Sequence, residues 1–492
     1  MIENNLWKKM KAIRTGIVIK PDYKRVVYRP FTILSEERII KIIGRILTLS
    51  EEDVKKELGQ VITEFEVRHQ RLRNFFLNRF EQMKKHLLTD QVLSEERKLL
   101  IGAYFTQEYS MESAALFNPS MVWHPDQSDL PEGSRRFILS LRATGEGHLS
   151  SITFRSGVID KENGITIIAP TRYVTTSESI TNPVYEKKLF ERKLIELDLL
   201  NDFAKQVMGS LEDSFAITDL ENCIKILVRP FKKKGGEKEL TAKAILSLAL
   251  SNYEIEYSPD QRLSERIIFP HSPSEINGIE DARFVEFTDE NGERTYYATY
   301  TAYDGKVTFP QLLETKDFLH FKISTLNGPE VENKGMALFP RKINGLYAMI
   351  SRQDNENIFL MYSEHLHFWY SKQLILKPTY PWEFVQLGNC GSPIETEAGW
   401  LVLSHGVGAM REYSIGAFLL DKNDPSKVIG RLEEPLLTPN ENEREGYVPN
   451  VVYSCGGAIH GDELIIPYAM SDHASSIAKV NLSELLKKLT ES

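Results

Sequence analysis

No run in the 492-residue sequence approaches the ~20 consecutive apolar residues that a membrane-crossing helix needs. Cysteine is scarce. Cys223, Cys390 and Cys455 are an odd number without metal-ligand spacing, which excludes a disulfide framework and fits a reducing compartment. Excess positive charge is also missing: 60 Lys and Arg stand against 69 Asp and Glu, a net charge of -9, where a nucleic-acid-binding protein carries a basic face. The opening residues, MIENNLWKKMKAIRTG, hold no apolar core or small-residue cleavage site of a secretory signal. Zinc-finger, EF-hand and zincin spacings are absent, and Gly145 and Gly147 do not form a phosphate-binding glycine loop that opens a helix. What remains is 41% hydrophobic and 26% charged, an ordinary globular composition. These exclusions point to a cytoplasmic protein with no metal, no membrane contact and no nucleic-acid partner.

The first ~110 residues read as helix. Ser35-Glu-Glu-Arg and Ser50-Glu-Glu-Asp look like capped helix starts. From Val54 to Leu88 apolar residues recur at three- and four-residue steps, predicting one long amphipathic helix. Its stripe (Val61, Phe65, Leu72, Phe76, Phe80, Met83) needs a partner, either the outer wall of the remaining domain or a second copy of the chain. A second helical block spans about 184–252, with a polar turn at Lys232-Lys-Lys-Gly-Gly-Glu-Lys238.

Elsewhere short β-branched and aromatic runs alternate with turn residues. Five runs look alike: Phe137 to Arg142, Tyr297 to Ala302, Tyr347 to Arg352, Trp400 to His405 and Leu464 to Ala469. Ala302 to Arg352 is 50 residues, Arg352 to His405 is 53 and His405 to Tyr468 is 63. A period of about 50 residues with several strands per unit is the pattern of propeller blades. The predicted class is mainly β: a five-bladed β-propeller with an N-terminal helical extension and a helical insertion. The boundaries are 1–112 for the extension, 113–482 for the propeller and 483–492 for a C-terminal tail. Unrelated strands in a sandwich are the alternative. In a propeller the innermost strands line one channel, so Arg142, Arg352, His405, Asp281, Asp304 and Asp472 would share a funnel.

Asn277-Gly-Ile-Glu-Asp-Ala-Arg283 is the densest constellation, with two carboxylates and a cation within four positions. One carboxylate could be a general acid whose ionisation the guanidinium sets. A turn closed by an Asp–Arg pair explains the same residues without chemistry. Arg142 ends an apolar strand, where an inward guanidinium needs an anion or a carboxylate. Asn118, before a proline, fits a turn, and His148 an exposed or structural role. His405 stands at a strand end with Arg411 six residues on. Cys390 has no local group to activate it.

These segments resemble family 130 of the glycoside hydrolases, the mannoside phosphorylases and related β-mannosidases. The resemblance rests on Phe117-Asn-Pro, the strand ending in Arg142, Gly278-Ile-Glu-Asp-Ala-Arg283, Tyr300-Thr-Ala-Tyr303 and Asn333-Lys-Gly-Met-Ala-Leu-Phe-Pro340. It continues through Gly399-Trp-Leu-Val-Leu-Ser-His-Gly-Val407, the segment Leu419 to Ile429, Gly446-Tyr-Val-Pro-Asn-Val-Val-Tyr453 and Tyr468-Ala-Met-Ser-Asp472. It implies a five-bladed propeller and an enzyme that breaks a β-mannosidic bond with inversion, using inorganic phosphate and no cofactor to give mannose 1-phosphate. By the same resemblance Asp281 is the catalytic acid, acting through a mannose hydroxyl. Asn118, Arg283 and Asp472 are sugar-site residues, and Arg142, Arg352, His405 and Arg411 hold phosphate. The sequence departs from the family pattern at Ala282, where the motif has proline, at Gln386, where phosphorylases carry lysine, and at Ser414, where many members have arginine. Hydrolysis by water is the alternative, with Glu412 or Glu445 as base. A glycan-binding propeller without catalysis is a third class. The N-terminal helices offer a surface for a homo-oligomer.

Overall fold

The computed structural model describes residues 10–177, 179–181, 184–228, 236–304 and 308–491. Most of the turn expected at Lys232 to Lys238, and the first nine residues, lie outside these. The architecture is mainly β. Among the described residues there are five antiparallel sheets of four to six strands, besides two two-stranded ribbons.

Each of the five look-alike runs occupies the second strand of one sheet: Arg135–Thr144, Arg294–Tyr303, Tyr347–Ser351, Trp400–Val407 and Glu463–Met470. The first strands beside them are Ala115–Trp123, Ile279–Thr288, Ala337–Leu338, Gln386–Asn389 and Val452–Tyr453. The channel residues therefore come from two ranks of strands, and not from the innermost rank alone. Bonds between sheets draw the leading strands together. Cys455 N donates to Pro119 O at 2.9 Å, Met121 N to Gly456 O at 3.2 Å and Phe284 N to Ser120 Oγ at 3.0 Å.

The helical expectation for the N-terminal segment fails at its start. Ile13–Ile19 is a strand on the outer edge of the last sheet, paired with Ala474–Asn481, and Val26–Pro30 pairs with Thr106–Ser110. Alternating Ile13, Ile17 and Ile19 fit a strand edge, a signal outweighed in the sequence by the helical pattern after it. Four helices follow: α1 Glu36–Leu47, α2 Glu51–Phe65, α3 Leu72–Met83 and α4 Glu95–Tyr104. Ser35 and Ser50 cap α1 and α2 as expected, accepting from Arg38 N and Asp53 N. The single long helix is instead two, broken where Arg71 adopts a φ of 57°. His69 stacks on Tyr28 at 4.1 Å and bonds Glu108, so tertiary contacts turn the chain where no Gly or Pro marks a stop. The apolar stripe meets α1 and α4 in one core with Ile39, Ile43, Leu99 and Leu100. It is covered within its own unit, which removes the argument for a second copy.

The insertion forms α5 Lys187–Glu196, α6 Asp202–Gly209, α7 Ile217–Val228 and α8 Glu237–Leu250, with a core of its own. It leaves the second sheet between Ser179–Thr181 and Tyr253–Glu256, which pair with each other. Lys193 Nζ donates to Leu326 O at 3.0 Å, tying α5 to that sheet. The C-terminal tail is helical: α9 Leu482–Thr490 buries Leu485 and Leu489 against Leu432 and Leu436. No helix among the described residues is long and apolar enough to cross a membrane.

Candidate active site

Two leading strands carry a bulge where the sequence places chemistry. Pairing slips between Phe117 and Ser120 in the first sheet, and between Glu280 and Arg283 in the second. Asn118 and Asp281 sit in these slips with φ of 50° and 52°. A bulge re-aims a side chain out of the sheet's alternation, here at the cost of left-handed backbone on non-glycine residues. The two side chains meet: Asn118 Nδ2 donates to Asp281 Oδ1 at 2.7 Å.

Cations surround Asp281. Arg142 Nη1 is 3.5 Å and Arg283 Nη2 4.0 Å from its oxygens. Arg142 also binds Glu280 at 2.9 Å, and Lys334 reaches Glu280 at 3.5 Å. Burial pushes the Asp281 carboxyl up, but Arg142, Arg283, Lys334 and the Asn118 bond outweigh it and hold it at about 2. Arg283 gives three of its five N–H donors to structure, to Cys390 O at 3.0 Å, Asp281 O at 2.9 Å and Tyr453 Oη at 2.6 Å. Asp472 behaves oppositely. Burial and the Asp281 charge push its carboxyl up to about 6, against the pull of Arg142, Arg411 and Lys334.

Deeper in, the polar groups lack partners. Arg352, His405 and Asn389 are buried. Arg352 Nε, both His405 ring nitrogens and both Asn389 amide atoms have no hydrogen-bond partner among the described residues. Burial, with Arg352 and Arg283 nearby, drives His405 well below its ordinary pKa, so its ring is neutral. Gly388 makes the arrangement possible: a Cβ there would lie 2.4 Å from His405 Cε1 and 2.7 Å from Arg352 Cδ. Buried polar atoms are nearly always paired, so such a cluster is built for a ligand that brings acceptors.

The structure therefore gathers Asn118, Arg142, Asp281, Arg283, Arg352, His405 and Asp472 around one centre. Arg411 is exposed at the rim, near enough for its charge to act on Asp472 and over the Tyr413 ring at 5.4 Å, and Tyr413 stacks on His405 at 6.0 Å. Glu412 faces Arg444 at 3.6 Å and Glu445 is exposed. Sequence reasoning missed Lys334, Asn389 and Tyr453 as site members. Each lies in or beside a segment noted for its pattern, but only the fold brings Lys334 toward Asp281, buries the Asn389 amide and sets Tyr453 against Arg283. The Cys390 thiol is buried and pushed up to about 12, as its lack of activating neighbours predicts. No cluster of metal-ligating side chains occurs among the described residues. A cavity of about 890 Å³ lies at the far end of the same leading strands, by Trp123, Glu286, Arg341 and Glu395. There Arg341 pairs with Glu395 and Glu286 with Arg294, so the cations beside this cavity are balanced by carboxylates, as Arg352 is not.

Comparison with known proteins bears on this centre. The family model described as beta-1,4-mannooligosaccharide phosphorylase matches residues 237–491. A 1,2-beta-oligomannan phosphorylase from Thermoanaerobacter sp. (strain X514) is 35% identical over 231 residues, 46% of this chain and 75% of that protein. A beta-1,2-mannobiose phosphorylase from Listeria innocua is 30% identical over 271 residues, 54% of this chain and 74% of that one. The solved structure of Listeria innocua beta-1,2-mannobiose phosphorylase with beta-1,2-mannobiose aligns over 77% of this chain and 93% of that chain, at 23% identity and a TM-score of 0.46. The family match covers more than half of the chain and includes Asp281, Arg352, His405 and Asp472: the chain belongs to glycoside hydrolase family 130 and is an enzyme.

Proposed function

We propose that the protein cleaves a β-mannoside oligosaccharide by inverting phosphorolysis, giving mannose 1-phosphate and a shortened saccharide. The observation that carries this reading is the unpaired buried Arg352 Nε and His405 ring beside Asp281. Phosphate supplies the missing acceptors and its charge matches the guanidinium, through charge-assisted bonds stronger than neutral ones. Arg142 completes the pocket, and Arg411 waits at the rim.

A phosphate oxygen attacks C1 from the face opposite the leaving group, the C1–O bond breaks, and the departing oxygen takes a proton. Asp281 provides that proton through a mannose hydroxyl. At about 2 its carboxyl is ionised in the free site. An anion seated beside Arg142, one of the cations that lower Asp281, offsets part of their field and raises the carboxyl's hold on a proton, so phosphate helps to arm the acid. Asn118, Arg283 and Asp472 hold the sugar. Hydrolysis would need a carboxylate about 6.5–9.5 Å from the acid to activate water. Neither Glu412, facing Arg444, nor exposed Glu445 is free and inward for that role.

The reading extends to the architecture, a five-bladed propeller over residues 113–482 whose last blade takes the strand Ile13–Ile19 as its outer edge, supported by the five sheets. It includes no cofactor beyond phosphate as co-substrate. It includes a cytoplasmic site of action, supported by three cysteines that form no disulfide. The test is product analysis on a β-mannooligosaccharide with and without inorganic phosphate. Phosphate-dependent α-mannose 1-phosphate is expected. Free mannose at the same rate in phosphate-free buffer would overturn the reading.

A further inference from the structure

The Ser471–Asp472 turn is held in an unfavourable shape. Ser471 and Asp472 both adopt left-handed backbone, with φ of 46° and 50°, which side chains other than glycine's avoid. Such a turn persists only if its surroundings over-determine it. Here the 438–451 segment does so. Ser471 Oγ donates to Glu443 O, Ser471 N to Val451 O at 2.8 Å, and Val448 N to Ser471 O at 3.0 Å. Gly446 lies so close that a Cβ there would sit 2.5 Å from Ser471 O and 2.7 Å from Ser471 Cβ.

One buried carboxylate fixes that segment. Glu443 is buried, and Arg14 grips it with two parallel bonds, Nε to Oε1 at 2.7 Å and Nη2 to Oε2 at 2.6 Å. Tyr468 Oη donates to Oε1 at 2.7 Å and Asn440 N to Oε2 at 3.1 Å. Arg14 Nη2 also donates to Thr438 O at 2.7 Å. Arg14 comes from the N-terminal strand and Tyr468 from the second strand of the last sheet. Glu443 thus joins the chain's first strand, the last sheet and the backbone that carries Asp472.

The geometry points to Glu443, locked by Arg14, as a positioning residue for the mannoside: it sets the Ser471–Asp472 turn and so the aim of the Asp472 carboxylate. This rests on the proposed role of Asp472 in holding sugar. The N-terminal strand then belongs to the active-site support, although its residues lie more than 400 positions from Asp472 in sequence.

The test is steady-state phosphorolysis by the full-length chain, varying the mannoside and phosphate separately, with thermal unfolding followed in parallel. Glu443→Gln keeps the shape but weakens the Arg14 grip. It is expected to raise KM for the mannoside roughly tenfold while KM for phosphate stays put, the scale of one charge-assisted bond. Arg14→Ala is expected to do the same, and Arg14→Lys to recover part of the loss, because lysine cannot make both parallel bonds. Asp472→Asn alone is expected to raise mannoside KM, and adding Glu443→Gln to it to cost nothing further, the signature of residues acting as one unit. Equal rises in both KM values, or additive losses in the double variant, would make Glu443 merely structural and overturn the inference. An Asp472→Asn enzyme with unchanged kinetics would instead sink the sugar-site reading of Asp472. If Glu443→Gln does not fold, Arg14→Lys against Arg14→Ala decides the same point.

Discussion

Two clusters of buried arginine lie in this protein, one closed and one open. In the closed cluster Glu112, Arg25 and Arg155 meet where the N-terminal segment joins the first sheet. Arg155 Nη2 reaches both Glu112 oxygens at 2.7 and 2.9 Å, Arg25 binds the same carboxylate and Ser264 O, and Asp22 N adds a further bond at 3.3 Å. In the open cluster Arg352 lies beside a neutral His405, with no carboxylate bonded to it among the described residues. Both bury guanidinium groups at similar depth. Burial and positive charge alone therefore do not identify a site, and neither does one unmet N–H, since Arg25 Nε also lacks a partner; what differs is whether the protein supplies a balancing carboxylate. Even inside the closed cluster the cost of burial shows, since desolvation and Arg155 pull Arg25 down to about 10. The open cluster leaves its cost to be met by a ligand.

The contrast can be broken most sharply at the residue the open cluster serves. Asp281→Asn keeps the size and the contact with Asn118 but removes the transferable proton, and turnover is expected to fall about 10²–10⁴-fold. Single-turnover measurements at saturating substrates isolate that step, and near-normal turnover would refute the acid assignment. Next in size is the closed cluster. Glu112→Gln leaves two guanidinium groups without their charge partner, and is expected to lower unfolding stability by about 3–5 kcal/mol. The ratio of the two KM values is expected to hold steady. Denaturant titration with kinetics checks both, and a stable variant with altered phosphate affinity would put Glu112 in the wrong class.

Arg352→Ala reverses that pattern. It removes a cation that no protein carboxylate balances, so the fold loses little, while KM for phosphate is expected to rise roughly ten- to a hundredfold and that for the mannoside far less. His405→Ala is expected to follow, more weakly, because its ring is neutral. Equal losses for both substrates would assign these residues to sugar or scaffold.

How much of this could be read from the sequence follows from the range of the interactions involved. Strand repeats and helix caps are local, so the spacing of Arg352 and His405 pointed to a common centre and Ser35 and Ser50 marked their helices. The break at Arg71 is set by Tyr28 and Glu108, distant in sequence, and no local residue announced it. At Ile13–Ile19 a weak alternation is present, but it becomes a strand because Ala474–Asn481 offers it an edge. Within the site, the Asp281 constellation stood out by residue type but fitted a plain turn as well, and Asn118 entered only through the family resemblance. Their bulges were not legible, because a bulge is a mismatch between two strands and one strand does not reveal it. Asn389 and Tyr453 needed the fold itself.

The smallest expected effect contrasts two carboxylates within the open site. Asp281 is held at about 2 and Asp472 is pushed up to about 6. For Asp281 the folded value lies below the unfolded one, so its ionised form adds stability above about pH 3.9, which is lost as pH falls toward 2. Asp472 has the opposite sign. Its folded value lies above the unfolded one, so between about pH 4 and 6 the native state binds the extra proton, and stability declines as pH rises through that window. Above pH 6 the penalty of a buried charge facing Asp281 is fully present. Asp472→Asn removes it, and at pH 8 the variant is expected to be more stable than the parent by up to about 2 kcal/mol, although it binds the mannoside more weakly. Near pH 3.5, where the parent carboxyl is neutral folded and largely so unfolded, the advantage is expected to vanish. Melting curves of both proteins across that range check the sign. Equal melting at pH 8 would mean that water or an unseen movement relieves Asp472, and the two carboxylates would no longer be set against each other by their surroundings.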